Sequence, residues 1–289
     1  MKASTSDFFP VRGIRYHVRT WGDAAAPKLF LLHGWMDVSA SFQFLVDEFV
    51  RDWQIIAPDW RGFGLSGWAV ADCYWFPDYI ADLEAVLRHY QPDQPVDMLG
   101  HSLGGNVASL YAGIRPGRVA RLINVEGFGL PRMRHDDAPA RYAKWLDQIA
   151  RPPRLRPYAT YAELAARLMA ENPRLGQDKA DFLAQHWGKR TGDSIILAGD
   201  PGHKLVNPTL YRIEESMACW HRVTAPVLWV AGKDSSVMKR YAEHPDEYAA
   251  RKDCFASLTE HIIDDAGHMV HHDQPAVLAQ LVEDFLAQR

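Results

Sequence analysis

Short apolar runs alternate along this chain with stretches in which apolar side chains recur every three or four positions. The runs at 28–32, 53–57, 96–99, 122–125, 227–231 and 261–263 have the length and continuity of buried strands. A stretch at 11–20 alternates apolar and polar residues and reads as one further strand. Helical spacing marks 41–49, 79–90, 106–114 and 276–287; in the second of these Ile80, Leu83, Val86 and Leu87 share one face. His33-Gly34, Pro58-Asp59 and Pro116-Gly117 punctuate the elements. Strands alternating with helices predict an α/β fold, a mostly parallel sheet covered by helices on both faces. From residue 131 to 222 the rhythm changes to helical segments at 141–149, 162–170, 179–187 and 210–219, separated by proline-bearing pieces such as Arg151-Pro152-Pro153. The expected organisation is a core made of 1–130 and 223–289, with 131–222 inserted as a helical cap or lid.

Composition narrows the classes. With 47% hydrophobic residues over 289 positions the chain has ample material for a large core, which excludes disorder. Its apolar runs fall far short of the roughly 20 residues of a spanning helix, and no charged-then-apolar leader opens it, so no membrane partner is expected. Cys73, Cys219 and Cys254 are too few and too scattered for a disulfide framework, which points to a cytoplasmic setting. A net charge of −4 leaves no general footprint for nucleic acid. That mild figure conceals a split: 131–222 carries 15 Lys+Arg against 11 Asp+Glu, and the remainder 17 against 25. Ten tryptophans are a surplus suited to an apolar pocket. Trp35, Trp145, Trp187 and Trp220, with Phe128, are the candidates for a cleft between core and insert. The pattern carries no sign of oligomeric state.

The sharpest chemical signal is Gly100-His101-Ser102-Leu103-Gly104-Gly105, a G-x-S-x-G pattern between an apolar strand and a helix. In that setting the serine occupies a sharp turn, and Gly100 and Gly104 remove side chains that would clash as the chain doubles back. The turn presents the hydroxyl beside a helix N-terminus, where N–H groups and the helix dipole favour an anion.

With this motif in place the chain resembles the α/β-hydrolase family. His33-Gly34-Trp35 follows the early strand, where the family places its oxyanion loop, and the segment from Asp59-Trp60-Arg61-Gly62 to Ser66 is similar to the family's D-x-R-G-x-G-x-S. Gly267-His268, followed by Asp273 and Pro275, resembles the late G-H segment. More narrowly, His33-Gly34-Trp35-Met36-Asp37, Asn124-Val125-Glu126-Gly127-Phe128-Gly129 and the stretch from Asn207 to Trp220 are similar to serine hydrolase-like members.

The resemblance implies roles. Ser102 is the expected nucleophile and His268 its base, since a serine hydroxyl needs an adjacent base and imidazole titrates near working pH. Two carboxylates compete to orient the histidine. Asp234 stands just beyond the strand before the final histidine, the family's usual place, although it is Ser235 that lies three residues after Gly232. Glu126 stands at the end of the preceding core strand, the position that some relatives use. The backbone N–H groups of Trp35 and Leu103 are the expected oxyanion donors, and Asp59 and Arg61 are expected to brace loops. The run His268-x-x-His271-His272-Asp273 hints at metal spacing, but no matching ligand cluster is visible elsewhere in the sequence, so neither metal nor cofactor is expected.

The expected activity is hydrolysis of an ester, thioester or lactone-type carbonyl, on a small apolar or aromatic substrate. Carbon–carbon bond hydrolysis or acyl transfer on the same triad is the alternative, and a non-catalytic ligand-binding homologue the rival of another class. Haloalkane dehalogenases and epoxide hydrolases carry aspartate at the elbow; serine here disfavours both.

Overall fold

The apolar runs become strands of one sheet because each can bury side chains on both of its faces. A computed structural model describes residues 1–69 and 71–288. It opens with an antiparallel pair, β1 (Ser4–Val11) and β2 (Ile14–Trp21); the strand predicted at 11–20 corresponds to β2, and β1 is additional. Arg12 and Gly13, at φ 45° and 85°, turn the chain between them, and twin positive values suit a two-residue hairpin. Then come β3 (Lys28–Leu32), α1 (Gln43–Glu48), β4 (Gln54–Pro58), α2 (Phe76–Tyr90), β5 (Val96–His101), α3 (Leu103–Ile114) and β6 (Val119–Val125).

The segment that follows holds α4 (Ala138–Ala150), α5 (Tyr161–Glu171), α6 (Gln177–Trp187), β7 (Gly188–Thr191), β8 (Ser194–Leu197) and α7 (Ile213–Trp220). The insert is therefore not purely helical: β7 and β8 form a small antiparallel hairpin, turning on Gly192 at φ 58°. The chain closes with β9 (Val227–Gly232), α8 (Ser236–Glu243), α9 (Pro245–Lys252), β10 (Leu258–Ile263), α10 (Val270–Asp273) and α11 (Pro275–Ala287). Both α8 and α9 escape the periodicity reading, since they are short and strongly charged.

The sheet has eight strands in the order β1-β2-β4-β3-β5-β6-β9-β10, parallel from β4 to β10, with β2 antiparallel to both its neighbours. Along β3 the pleat sends Leu29 and Leu31 into one core and Phe30 and Leu32 into another. The first core is completed by α1 and α11 through Leu45, Val46, Leu278 and Val282, the second by α2 and α3 through Leu83, Val86, Val107 and Tyr111. Helices thus cover both faces, as a parallel sheet requires. The insert has its own small core, in which Leu164, Leu168, Leu183 and Ile195 pack with Tyr158 and Phe44. Among the described residues no helix is long and apolar enough to cross a membrane.

Candidate active site

The nucleophile candidate is held by backbone geometry. Ser102, between β5 and α3, has φ 51° and ψ −111°, a strained combination for a residue with a Cβ. Its N–H donates to Val125 O at 2.8 Å and its carbonyl accepts from Asn106 N at 3.0 Å, which fixes the turn from both sides. A Cβ on Gly100 would lie 2.4 Å from Gly104 O, and one on Gly104 would lie 2.0 Å from Leu32 O. Gly104→Ala is therefore expected to lower stability by about 1–3 kcal/mol through overpacking against backbone, read as a drop in urea midpoint; an unchanged midpoint would show that the elbow yields.

His268 lies on the loop between β10 and α10, and its Nδ1 pairs with Glu126 Oε2 at 3.1 Å. Glu126 follows β6 with φ 60°, so the chain leaves the sheet there in an unusual conformation. Asn124 cages this turn: its Oδ1 accepts from Gly127 N at 2.9 Å, and its Nδ2 donates to Gly127 O at 2.9 Å and to Ser109 Oγ at 2.8 Å. The other carboxylate oxygen, Oε1, accepts from Gly232 N at 2.7 Å. Glu126 is thus anchored to the end of β9 and aimed at the imidazole, and its side chain is wholly buried. As the Nδ1–H donates to Glu126, the imidazole keeps Nε2 as its proton acceptor.

His101, beside the serine, ties the elbow to the histidine loop: its Nε2–H donates to the His268 carbonyl at 2.8 Å, and the two rings lie 4.8 Å apart. No hydrogen bond among the described residues joins the Ser102 hydroxyl to His268. Such contacts are often long in unliganded enzymes and close on substrate binding.

Asp234 is placed elsewhere. The chain turns after β9, Asp234 N donates to Ala266 O at 3.0 Å, and Ser235 caps α8 by accepting from Met238 N. This turn directs the Asp234 carboxylate outward, where it is 48% exposed and pairs with Arg174 at 2.5 Å. The expectation that Asp234 partners His268 is corrected accordingly; the carboxylate that touches the ring belongs to Glu126.

Trp35 and Leu103 both border a cavity of about 290 Å³ over Ser102. Leu103 is the first residue of α3, so its N–H has no partner within the helix. Gly34 brings the early loop against the elbow: a Cβ there would lie 3.3 Å from the Ser102 Cβ. His33 braces this loop, accepting from Trp60 N at Nε2 (2.9 Å) and donating through Nδ1 to Gly34 O (2.7 Å). Asp59 is used in holding neighbouring turns, with bonds from His17, Ser39 N and Leu65 N. Arg61 forms a two-bond pair with buried Asp82, both at 2.5 Å.

Of the five aromatics expected at the cleft, Trp35 alone lines this cavity. Phe128 and Trp220 stack on one another in the core, with Trp229 against Phe128 at 4.3 Å, and Trp187 borders a separate cleft. The walls are instead Tyr74, Trp75, Phe76, Tyr79 and Leu130, with Leu205, Val206 and Asn207 from the loop before α7. His203, also in the wall, is stacked between Phe63 and Tyr74 at 3.7 and 3.8 Å. No periodicity marks that loop, which is why the pattern missed it. A larger groove of about 500 Å³, bordered by Arg19, Asp59, Trp68 and Lys189, is lined by neither Ser102, His268 nor Glu126.

Behind the elbow, buried Asp37, His101 and His271 bring ligand atoms within 4.8 Å of one another. This set, which the sequence did not reveal, has the residue types of a metal site. Asp37 Oδ2 and Nδ1 of both histidines lack hydrogen-bond partners among the described residues. Burial pushes the Asp37 carboxyl up to about 7 and both imidazoles well below their usual range.

A parallel sheet covered on both faces, with serine on a strand-to-helix elbow and histidine on a late loop, defines a class, and the chain belongs to it: the alpha/beta hydrolase fold family, whose model matches residues 27–275. Among individual proteins, the chain is similar to a serine hydrolase-like protein of Danio rerio, 28% identical over 99% of this chain and 90% of the relative. It is also similar to the lipase LipV of Mycobacterium tuberculosis, 27% identical over 96% and 99%. In fold it is similar to the thioesterase domain from the curacin biosynthetic pathway, with TM-score 0.87, 22% identity, and coverage of 97% and 99%.

Proposed function

We propose that the chain is a serine hydrolase that cleaves an ester, thioester or lactone through an acyl-enzyme, with Ser102 as nucleophile, His268 as base and Glu126 as the orienting acid. The observation that carries this reading is the 3.1 Å bond from His268 Nδ1 to Glu126 Oε2 beside a serine in strained elbow geometry. Ser102 Oγ adds to the carbonyl carbon as its proton passes to His268 Nε2. The oxyanion then rests on the N–H groups of Trp35 and Leu103, a type of contact typically worth about 10²–10³ in rate per donor. Collapse breaks the bond to the leaving oxygen or sulfur, which departs with the proton from Nε2. Water repeats the sequence: its proton goes to Nε2, its oxygen bonds the acyl carbon, and the serine oxygen recovers the proton as the acid leaves. Glu126 stabilises the imidazolium formed in each half.

The aromatic walls over Ser102 support an apolar or aromatic substrate body. The similarity to a zebrafish serine hydrolase-like protein and to the mycobacterial lipase LipV supports a hydrolase reading. A fluorophosphonate probe is expected to form one adduct per chain, mapped by mass spectrometry to the peptide containing Ser102, and to block hydrolysis of p-nitrophenyl butyrate in step with labelling. No adduct, or an adduct on another serine, would overturn the reading.

A further inference from the structure

The cavity over Ser102 has one formal charge in its wall among the described residues. It is lined by aromatic, aliphatic and amide side chains, together with Arg141 of α4; no carboxylate borders it. His203, the other basic group in the wall, is held neutral, because burial pushes it down to about 3. Arg141 is fixed by a single bond, Nε donating to Asn207 O at 2.5 Å. Gln148, two turns on along the same helix, accepts from Val206 N at 2.7 Å, so helix and loop hold each other in register.

Elsewhere the buried guanidinium groups meet carboxylates, Arg61 with Asp82 and Arg251 with Glu247, and half-buried Arg121 meets Asp97; half-buried Arg19 and Arg118 bond a hydroxyl and backbone carbonyls instead. Arg141 has no carboxylate partner among the described residues. Asp137, just before α4, accepts instead from Arg134 N at 2.8 Å. The two terminal NH₂ groups of Arg141 therefore carry four N–H donors with no protein partner among the described residues, in a wall whose other members carry no formal charge. A guanidinium in that state matches one ligand chemistry best, a carboxylate received by two parallel N–H···O bonds.

We infer that Arg141 forms an anion subsite of the reaction cavity, and that the substrate carries a carboxylate at one end of a short apolar body whose ester or thioester carbonyl reaches Ser102. The inference rests on the proposed hydrolase reading. Arg141 touches the substrate away from the reacting carbonyl and sets specificity. A cavity of about 290 Å³ suits a short body, at the small end of ligand pockets, which run to roughly 1,000 Å³.

Two matched pairs of substrates test it, since the carboxylate can sit on either side of the scissile bond. Mono-p-nitrophenyl glutarate is compared with p-nitrophenyl valerate, and 4-acetoxybenzoate with phenyl acetate, in wild type, Arg141→Gln and Arg141→Lys. In at least one pair the anionic-to-neutral ratio of kcat/KM is expected to fall about 10–100-fold in Arg141→Gln, mainly through KM, with part of the ratio retained by Arg141→Lys. A loss that is equal for both members of each pair would mark a structural role and overturn the inference. Calorimetric binding of glutarate needs no serine chemistry and keeps the two readings apart. If no ester is turned over and no probe labels Ser102, the hydrolase reading fails, while glutarate bound by wild type and released by Arg141→Gln still upholds the subsite. Equal glutarate binding by both proteins, with unchanged ratios, overturns it.

Discussion

Glu126→Gln is expected to cut kcat by about 10⁴-fold, whereas Asp234→Asn leaves it within about twofold, as expected for an exposed ion pair of small worth. The asymmetry follows from the two anchors on Glu126. Its Oε1 accepts from Gly232 N and its Oε2 faces His268 Nδ1. A glutamine keeps an oxygen on the Gly232 N–H, because that donor cannot be satisfied by an amide NH₂. Its NH₂ must then face Nδ1, which becomes an acceptor, and the ring's proton moves to Nε2. The imidazole is left in the tautomer that cannot receive the Ser102 proton, and a neutral amide no longer stabilises the imidazolium. Steady-state kinetics on p-nitrophenyl butyrate, with circular dichroism to show that each variant is folded, checks both arms. Loss of activity in Asp234→Asn with Glu126→Gln unimpaired would return the orienting role to Asp234.

The elbow was legible in the sequence because everything it needs is local: two glycines, a preceding apolar run and a following helix within a dozen residues. Which carboxylate meets the His268 ring was not, although Glu126 was one of the two candidates. Where Asp234 points is decided by the turn between Gly232 and the Ser235 cap, and by Arg174, which lies 60 residues away. Where Glu126 points is decided by Asn124 and by the end of a strand that comes a hundred residues later. Such choices belong to tertiary packing, and spacing along the chain carries no trace of them. The strand expected at 11–20 corresponds to β2 with its start placed across the Arg12-Gly13 turn, and β1 before that turn went unread. The tryptophan surplus pointed to a cleft, yet aromatic side chains serve cores as readily as pockets, and Phe128 and Trp220 went to the core. The cavity wall came instead from the α2 approach and the 203–207 loop.

Stability is expected to fall by about 3 kcal/mol or more between pH 7 and pH 5. Burial strips away the water that an imidazolium needs, and pushes His33 down to about 4 and His203 and His272 to about 3. An unfolded histidine takes up a proton below about 6.5, while these stay neutral in the fold until their own lower values. Their stabilising contribution is complete above about pH 6.5 and is lost as pH falls toward the folded values, at about 1.4 kcal/mol per group and pH unit.

Asp37 runs the other way. Burial raises it to about 7 from an ordinary 3.8, so its contribution is full below 3.8 and lost as pH rises through 7. Between pH 7 and 5 the three histidines cost about 6 kcal/mol, because they act only over the 1.5 units below 6.5, and Asp37 returns about 2–3 kcal/mol, which leaves about 3 kcal/mol. His101 and His271 are also pushed well below their usual range by burial and add in the same direction. Urea melts at pH 7, 6 and 5, followed by circular dichroism, read the effect directly; a flat profile would mean that these side chains gain protons without unfolding the chain. Four of the five histidines border the elbow or the loops around it: His33 braces the early loop, His101 adjoins Ser102, and His271 and His272 share Ser41 beneath the His268 loop. Acid is therefore expected to dismantle the site by unfolding its supports, a loss that melts followed in parallel with activity read directly. The comparison of Glu126→Gln with wild type accordingly belongs near pH 7, where the supporting histidines are neutral and the fold is intact.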